Sequence, residues 1–406
     1  MTLRNVIFAA PFPVETTYRF VRAAAGLQGV RLLGIVTKPP SGPESKLFAD
    51  MVTVSDPLSE DQMVKAARLL EARHGKIHRI VGILEPLQVA LARAREALGV
   101  PGPTVAVADL FRDKGRMKDE LRHHGLPCAR HKVLTSLNDA KDFVEEVGFP
   151  LVIKPTDGMG CKATWRITNI KELGDALRAM GASPKNPAIA EEFLQGREYS
   201  FETITINGEV RFHSISRYYP TPLEVFENPW IQWVVAHPRE ITGPEYDDAR
   251  ELGLRAVRAL GLDTGFTHME WFRRHDGSLA IGEIAARPPG AQIVMSNNYV
   301  HNADFYRAWA RAVIDEAFDG PYERKYAVSV AFLRGIGHGR VLGVSGVEEV
   351  NRTVGSLVVE SKLPKIGAPR SDSYEGDGYV ILRHQETEKV IAAVKKVVET
   401  IKIHYG

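Results

Sequence analysis

The sequence predicts a multidomain protein of mixed α/β and α+β class, and three observations carry that reading. The first hundred or so residues alternate strand and helix patterns, the middle of the chain is punctuated by hairpin turns, and an amphipathic helix lies near the C-terminus. At 406 residues the chain exceeds one typical domain, so about two to four packed units are expected.

In order, strand-like "NVIFAA" leads into helical "VETTYRFVRAAAGL", "VRLLGIV" into "SEDQMVKAARLLEARHG", and "IHRIVGIL" into "EPLQVALARAREALGV". Such βαβ alternation implies a small parallel sheet covered by helices. A dinucleotide loop would place glycines after the first strand, yet "AAPFPVET" has none, so a Rossmann-like shape without that cofactor is expected. "GVPGPTVAVADL" clusters Pro and Gly and reads as a boundary. "DKGRMKDELRHHGLP" then reads as a helix closed by Gly125 and Pro127. Asn207-Gly208 and Asp276-Gly277 are two-residue hairpin signals within strand-like runs. "ADFYRAWARAVIDEAF" reads as a helix, and "ETEKVIAAVKKVVETIKI" as the amphipathic one.

Composition removes several function classes. A hydrophobic content of 44% with 25% charged residues is that of a soluble globular protein with a sizeable core. A net charge of +2 argues against a nucleic-acid or membrane-surface protein, which concentrates basic charge. Two cysteines, Cys128 and Cys161, form no CxxC or metal spacing, which fits a reducing compartment. "VIFAAPFPV" is broken by prolines and makes a poor signal peptide, and no run approaches the ~20 apolar residues of a membrane span. A soluble cytoplasmic protein is expected.

The stretch "PLVIKPTDGMGCKATWRI" raises the functional question, because a strand ends in a lysine and passes through a two-glycine loop. Walker A spacing is absent, and Gly158 and Gly160 lead toward a strand rather than a helix. Two readings remain: a loop whose N–H groups fold over phosphates, with Lys154 and Lys162 adding charge, or an ordinary glycine hairpin with a snorkelling lysine.

The later hairpin discriminates more. With Asp276 and Gly277 as the two turn residues, His275 opposes Ser278 and Glu270 opposes Glu283, their Cβ atoms about 4.5–5.5 Å apart. Opposed like charges destabilise a sheet unless compensated, and two carboxylates with water and phosphate oxygens suit Mg²⁺. Met269, Trp271, Ala280 and Ile284 are expected on the apolar face. His268, on the acidic face, reads as a satisfied polar residue, and Arg287 as a structural ion-pair partner or an anion clamp, with the clamp favoured.

On these residues the chain resembles the ATP-grasp superfamily, over nearly its whole length. "GVPGPTVAVADLFRDKGRMKDELRHHGLP" is similar to the start of that family's nucleotide module, where Lys114 would contact phosphates. "FPLVIKPTDGMGCKATWRI" resembles its strand–loop–strand: Lys154 would hold phosphate under a flap containing Gly158, Met159 and Gly160. In "AIAEEFLQGREYSFE", Glu191, Glu192, Phe193 and Leu194 would line the adenine edge through backbone groups, and Glu198 would bind ribose hydroxyls. "THMEWF" and "IGEIAARPPG" match the metal-bearing strands, with Glu270 and Glu283 as ligands. Ala285 stands where many members have an asparagine ligand, which puts a second metal ion in question. The C-terminal segments resemble, more loosely, the L-amino-acid ligase branch.

The resemblance implies a Rossmann-like N-terminal domain at 1–105, a lid subdomain with linking helix at 106–192, a catalytic subdomain at 193–312 and an α+β portion at 313–406. It implies an ATP-dependent ligase that joins a small carboxylate to an amine through an acyl phosphate, with Mg²⁺ (or Mn²⁺) as cofactor. Arg287 would hold the acyl phosphate, beside the backbone at Gly290 and Ala291. A carboxylase or ligase of nucleotide biosynthesis is the enzyme alternative, and a non-catalytic ATP-binding protein the other. Neither nucleic acid nor membrane is expected as a partner, and a homodimer is the default expectation.

Overall fold

The computed structural model describes residues 3–157, 163–228 and 230–406, and every element count refers to those residues. The N-terminal segment contains β1 (Arg4–Ala9), α1 (Glu15–Ala25), β2 (Val30–Val36), β3 (Asp50–Thr53), α2 (Glu60–His74), β4 (Ile77–Val81) and α3 (Gln88–Leu98). Its strands form a parallel sheet in the order β3-β2-β1-β4. Ile7, Phe8, Leu33 and Ile35 are fully buried in it, as expected for strands covered by helices on both faces. The short strand β3 was not expected: its four residues are at most half-buried, so no alternation marks them.

The Pro- and Gly-rich residues 99–104 are irregular, and helix begins directly after them. Thr104 accepts a hydrogen bond from Val107 N–H and starts α4 (Val105–Arg112). Asp113 caps α5 (Lys114–His123), and Gly125, at φ 67°, turns the chain out of it. There follow β5 (His131–Leu134), α6 (Leu137–Val147), β6 (Leu151–Pro155), β7 (Trp165–Ile167), α7 (Ile170–Met180) and β8 (Ala188–Glu192). They build an antiparallel sheet in the order β5-β8-β6-β7, whose Leu151, Ile153 and Ile167 share a core with Phe143 of α6 and Leu173 of α7.

The rest comprises β9 (Gly196–Ile206), β10 (Glu209–Tyr219), α8 (Pro222–Glu227), β11 (Trp233–His237), α9 (Pro244–Ala259), β12 (Gly265–Arg274), β13 (Leu279–Ala285), α10 (Ile293–His301), α11 (Phe305–Asp315), β14 (Ala327–Leu333), β15 (Val341–Ser345), α12 (Val347–Val354), β16 (Val358–Lys362), β17 (Gly378–His384), α13 (Thr387–Thr400) and β18 (Lys402–Tyr405). One eight-stranded antiparallel sheet runs β13-β12-β9-β10-β11-β14-β17-β16, so strands of the C-terminal segment extend the sheet begun by β9–β13. Strands β15 and β18 pair separately. Asn207 and Gly208, both at positive φ, form the expected two-residue turn.

The β12–β13 hairpin differs from expectation twice. Arg274 N–H donates to Ser278 O at 2.8 Å, so the turn holds His275, Asp276 and Gly277, and His275 does not oppose Ser278. The register then shifts between Glu270 and Trp271, with Trp271 opposite Ile281 and Gly282 left as an extra residue. The two departures cancel, and Glu270 opposes Glu283 as predicted. Beyond the bulge they do not cancel. Ala280 opposes Phe272 on the acidic face, and Ile281, not Ala280, joins Met269, Trp271 and Ile284 in the core. No helix among the described residues is long and apolar enough to cross a membrane.

Candidate active site

The acidic face of the large sheet forms one wall of a cavity of about 510 Å³. The period of two in β9 and β12 puts Glu198, Ser200 and Glu202 on this face, opposite Phe272, Glu270 and His268 respectively. The other face, with Tyr199, Phe201, Met269 and Trp271, packs into a core shared with α9. The small sheet contributes Lys154 from β6 and Glu191 from β8, while α5 contributes Lys114. Lys114 N–H donates to Thr156 O at 3.1 Å, tying the start of α5 to the end of β6.

These groups form a chain of alternating charge. Lys114 Nζ lies 3.2 Å from Glu283 Oε1, and Lys154 Nζ lies 3.7 Å from Glu283 Oε2 and 3.0 Å from Glu191 Oε2. Lys118, one helical turn beyond Lys114, is buried, sits 3.3 Å from Glu191 Oε1 and donates to the carbonyl of the bulge residue Gly282. Burial would raise Glu283, but Lys114, Lys154 and Lys118 outweigh it and hold the acid at about 2. Burial would lower Lys154, but Glu191 and Glu283 outweigh it and raise the ammonium above its ordinary value. For Lys118 burial prevails over Glu191, and the ammonium is lowered.

Among the described residues no lysine pairs with Glu270. Burial raises it, His268 opposes, and the charge on Glu283 raises it further. Glu198 is raised well above the carboxylate range by burial and then by Glu270. His268 is satisfied, as the sequence suggested: its Nδ1 is 3.0 Å from Glu202 Oε1 and its Nε2 is 3.5 Å from Tyr218 Oη. Ala285 is buried opposite His268 and offers no ligand atom. Among the described residues no group of three or more His, Cys, Asp or Glu is arranged to hold a metal ion.

Two opposed carboxylates, one of them short of positive charge, fit a small hard cation that completes its shell with other oxygens.

Arg287 realises the ion-pair reading and also lines the cavity. Its Nε is 3.0 Å from Glu85 Oε2, and the other oxygen of Glu85 is 3.2 Å from Arg112. Burial would lower the guanidinium, but Glu85 outweighs it. Next to it, Ala291 (φ 51°) and Gln292 (φ 56°) are both left-handed, which costs a residue with a Cβ about 1 kcal/mol each. Glu192, Phe193 and Leu194 also line the cavity, with Phe193 under the Arg166 guanidinium at 4.5 Å. Gly158, Met159, Gly160 and Lys162 lie outside the described residues.

Residues 119–292 match the model of the ATP-grasp domain. The chain carries an ATP-grasp domain. The L-arginine-specific L-amino acid ligase of Bacillus subtilis is 26% identical over 266 residues, covering 64% of this chain and 63% of that protein. The chain thus spans less than two thirds of the length of this relative. The crystal structure of an L-amino acid ligase from Bacillus licheniformis superposes with a TM-score of 0.82 at 20% identity, covering all of both chains. That of N5-carboxyaminoimidazole ribonucleotide synthetase from Thermotoga maritima gives 0.73 at 17% identity, again over both whole chains. At these identities the likeness is one of fold, and the fold is the ATP-grasp fold.

Sequence reasoning passed over three residues of the site. Lys118 was signalled by its i+4 spacing from Lys114 on one helix face. Glu85, which pairs with both Arg287 and Arg112, and Arg112 itself carry no local signal, because their partners are remote in sequence. The side chain of Glu191 was also missed, since only its backbone was expected to matter.

Proposed function

We propose that the chain is an ATP-dependent ligase that forms a C–N bond between a small carboxylate and an amine. The observation that carries this reading is Lys154, held between Glu191 and Glu283 in one cavity with Lys114, Glu270 and Arg287. The ligase relative supports the choice of reaction class.

ATP binds with its adenine edge along Glu191–Leu194, its ribose against Glu198 and its phosphates toward Lys114 and Lys154. As triphosphate arrives, both lysines turn from Glu283 to phosphate oxygens, while Lys154 keeps Glu191. Glu283 is then free to act with Glu270. Bound between these two acids, Mg²⁺ or Mn²⁺ would supply neutralising charge to the phosphate oxygens. The substrate carboxylate attacks the γ-phosphate, giving an acyl phosphate and ADP. The uncharged amine then attacks the acyl carbon and expels phosphate, and the proton shed by the nitrogen leaves with the phosphate, forming the amide. Arg287, aligned by Glu85, holds the charged oxygens in both steps, so catalysis is mainly positioning and electrostatic stabilisation. Within this reading the segments 1–105, 106–192, 193–312 and 313–406 act as N-terminal, lid, catalytic and C-terminal parts. A reducing, cytoplasmic setting belongs to the same proposal, in keeping with the buried free thiol of Cys128.

The test is phosphate release from ATP across a panel of carboxylates, with hydroxylamine trapping the activated acyl group. Acid-dependent release with hydroxamate formation is expected, and Glu283→Ala should abolish both. Bicarbonate-dependent turnover without hydroxamate would move the protein to a carboxylase reading.

A further inference from the structure

The cavity contains an acid that the phosphate chemistry does not use. The loop between β16 and β17 turns inward and places Ser373, Tyr374 and Glu375 on the cavity wall. The loop is braced on several sides. Ser371 N–H donates to Asp377 Oδ1 at 2.8 Å, Glu375 N–H to Ser373 Oγ at 3.2 Å, and Asp377 N–H to Leu333 O at 3.0 Å. Gly376, at φ 65°, lies so close to β14 that a Cβ would come within 2.3 Å of the Leu333 carbonyl oxygen. Tyr374 stands edge-on to Trp233, their ring centroids 5.0 Å apart. Glu375 is thus presented by a backbone fixed from both sides.

The carboxylate of Glu375 accepts a hydrogen bond from Ala291 N–H, and no cationic side chain among the described residues forms an ion pair with it. Glu85, Glu191 and Glu283 in the same cavity each have a cationic partner. Burial raises Glu375, and the Ala291 hydrogen bond offsets this only in part. A side chain begun at Gly290 would meet Glu375 Oε1 at 3.9 Å, so the acid adjoins the loop that follows Arg287. Apolar Phe20, Ile83, Ile293 and Val294 line the same cavity.

We infer that Glu375 anchors an ammonium group of the substrate, close to the carboxylate held at Arg287. The inference rests on the ligase reading and names its substrate class. At least one of the two joined molecules carries a positively charged amine near the bond that forms, and an apolar substituent fits the wall beside it. That ammonium belongs either to the acid being activated, where it stays charged, or to the incoming amine, which passes a proton to the Glu375 carboxylate before its nitrogen attacks.

The two sources separate in hydroxylamine trapping, where the amine substrate is replaced. L-Alanine is compared with L-lactate, and L-leucine with L-2-hydroxyisocaproate, in wild type and Glu375→Gln. If the acid carries the ammonium, wild type favours each amino acid by about 10²-fold in kcat/KM, and the variant brings each pair within a few-fold. If the amine carries it, hydroxamate formation is unchanged in the variant, and amide formation with glycinamide falls by about the same factor. Either result supports the inference. A variant that matches wild type with both acid pairs and with glycinamide overturns it and leaves the ligase reading intact. Thermal shifts on adding L-leucine, L-2-hydroxyisocaproate or glycinamide read binding without turnover. A shift by an ammonium-bearing compound that Glu375→Gln abolishes supports the inference even where no hydroxamate forms. Equal shifts in the two proteins overturn it.

Discussion

Glu270 and Glu283 stand opposite one another on β12 and β13, and their carboxyl groups are driven in opposite directions. Glu283 is flanked by Lys114 and Lys154, whereas among the described residues no lysine or arginine lies within 4 Å of the Glu270 carboxylate, whose neighbour is His268 Nε2 at 3.8 Å. One acid is already neutralised, and the other awaits positive charge. That asymmetry suits a site in which the lysines leave for phosphate and a cation takes up both acids.

Glu283→Gln removes the partner of both lysines and one proposed metal ligand. Acid-dependent phosphate release should fall by at least about 10³-fold, on the scale of losing a group that stabilises transition-state charge. Steady-state assays with saturating ATP and Mg²⁺ measure this, and activity within tenfold of wild type would reject the assignment.

Lys118 is buried between Glu191 and the Gly282 carbonyl. Lys118→Met should cost about 3–5 kcal/mol of stability, because it leaves Glu191 short of one cation and the bulge carbonyl unpaired. Combined with Glu191→Gln, the loss should be smaller than the sum of the single losses by more than about 1 kcal/mol. Urea unfolding of the four proteins closes the cycle, and additive losses would mean the pair is not coupled.

Glu85 touches no substrate in the proposed reaction and acts by aligning Arg287 and Arg112. Glu85→Gln keeps the shape and loses the charge. It should lower kcat/KM for the carboxylate about tenfold while leaving the KM for ATP near the wild-type value. A larger effect on ATP than on the acid would place Arg287 on the nucleotide instead.

His237 and His301 are buried and His213 is half-buried, and all three sit where the neutral ring is favoured. Burial, reinforced by Arg250 for His213 and by Arg324 for the other two, lowers His213 to about 4, His301 to about 3 and His237 well below the usual range. In the unfolded chain each titrates near about 6.5. Between those values the unfolded state binds more protons, so this contribution is complete above about pH 6.5 and is lost as the pH falls toward 4. Urea midpoints should therefore decline steadily from about pH 7 to about pH 5. Replacing His301 with Phe, which removes one titrating ring, should flatten the slope.

Much of this organisation was legible from local pattern. The alternation over the first hundred residues marks β1, β2, β4 and three helices, and Asn207-Gly208 marks its hairpin, because period, turn chemistry and capping act over a few residues. The opposition of Glu270 and Glu283 was legible too, although by a route the structure altered. A three-residue turn displaced the register by one, and the bulge at Gly282 restored it.

Local alternation was enough to bring Glu198, Glu202, His268 and Glu270 to one face, since β9 and β12 pair without interruption. On β13, however, the bulge moved Ala280 to that face and Ile281 into the core. The position of the bulge was set by packing between distant segments. Ile281 N–H donates to Pro127 O, Ile281 O accepts from Ala129 N–H, and Gly282 O accepts from Lys118, so the outer edge of β13 follows residues 127–129 and α5 as well as β12. The pairing of Glu85 with Arg287 and the placing of Glu375 on the cavity wall were likewise settled in three dimensions. Charges and hydrogen bonds between segments far apart in the chain leave no periodic trace, and their partners are fixed only when the sheets and helices close around one cavity.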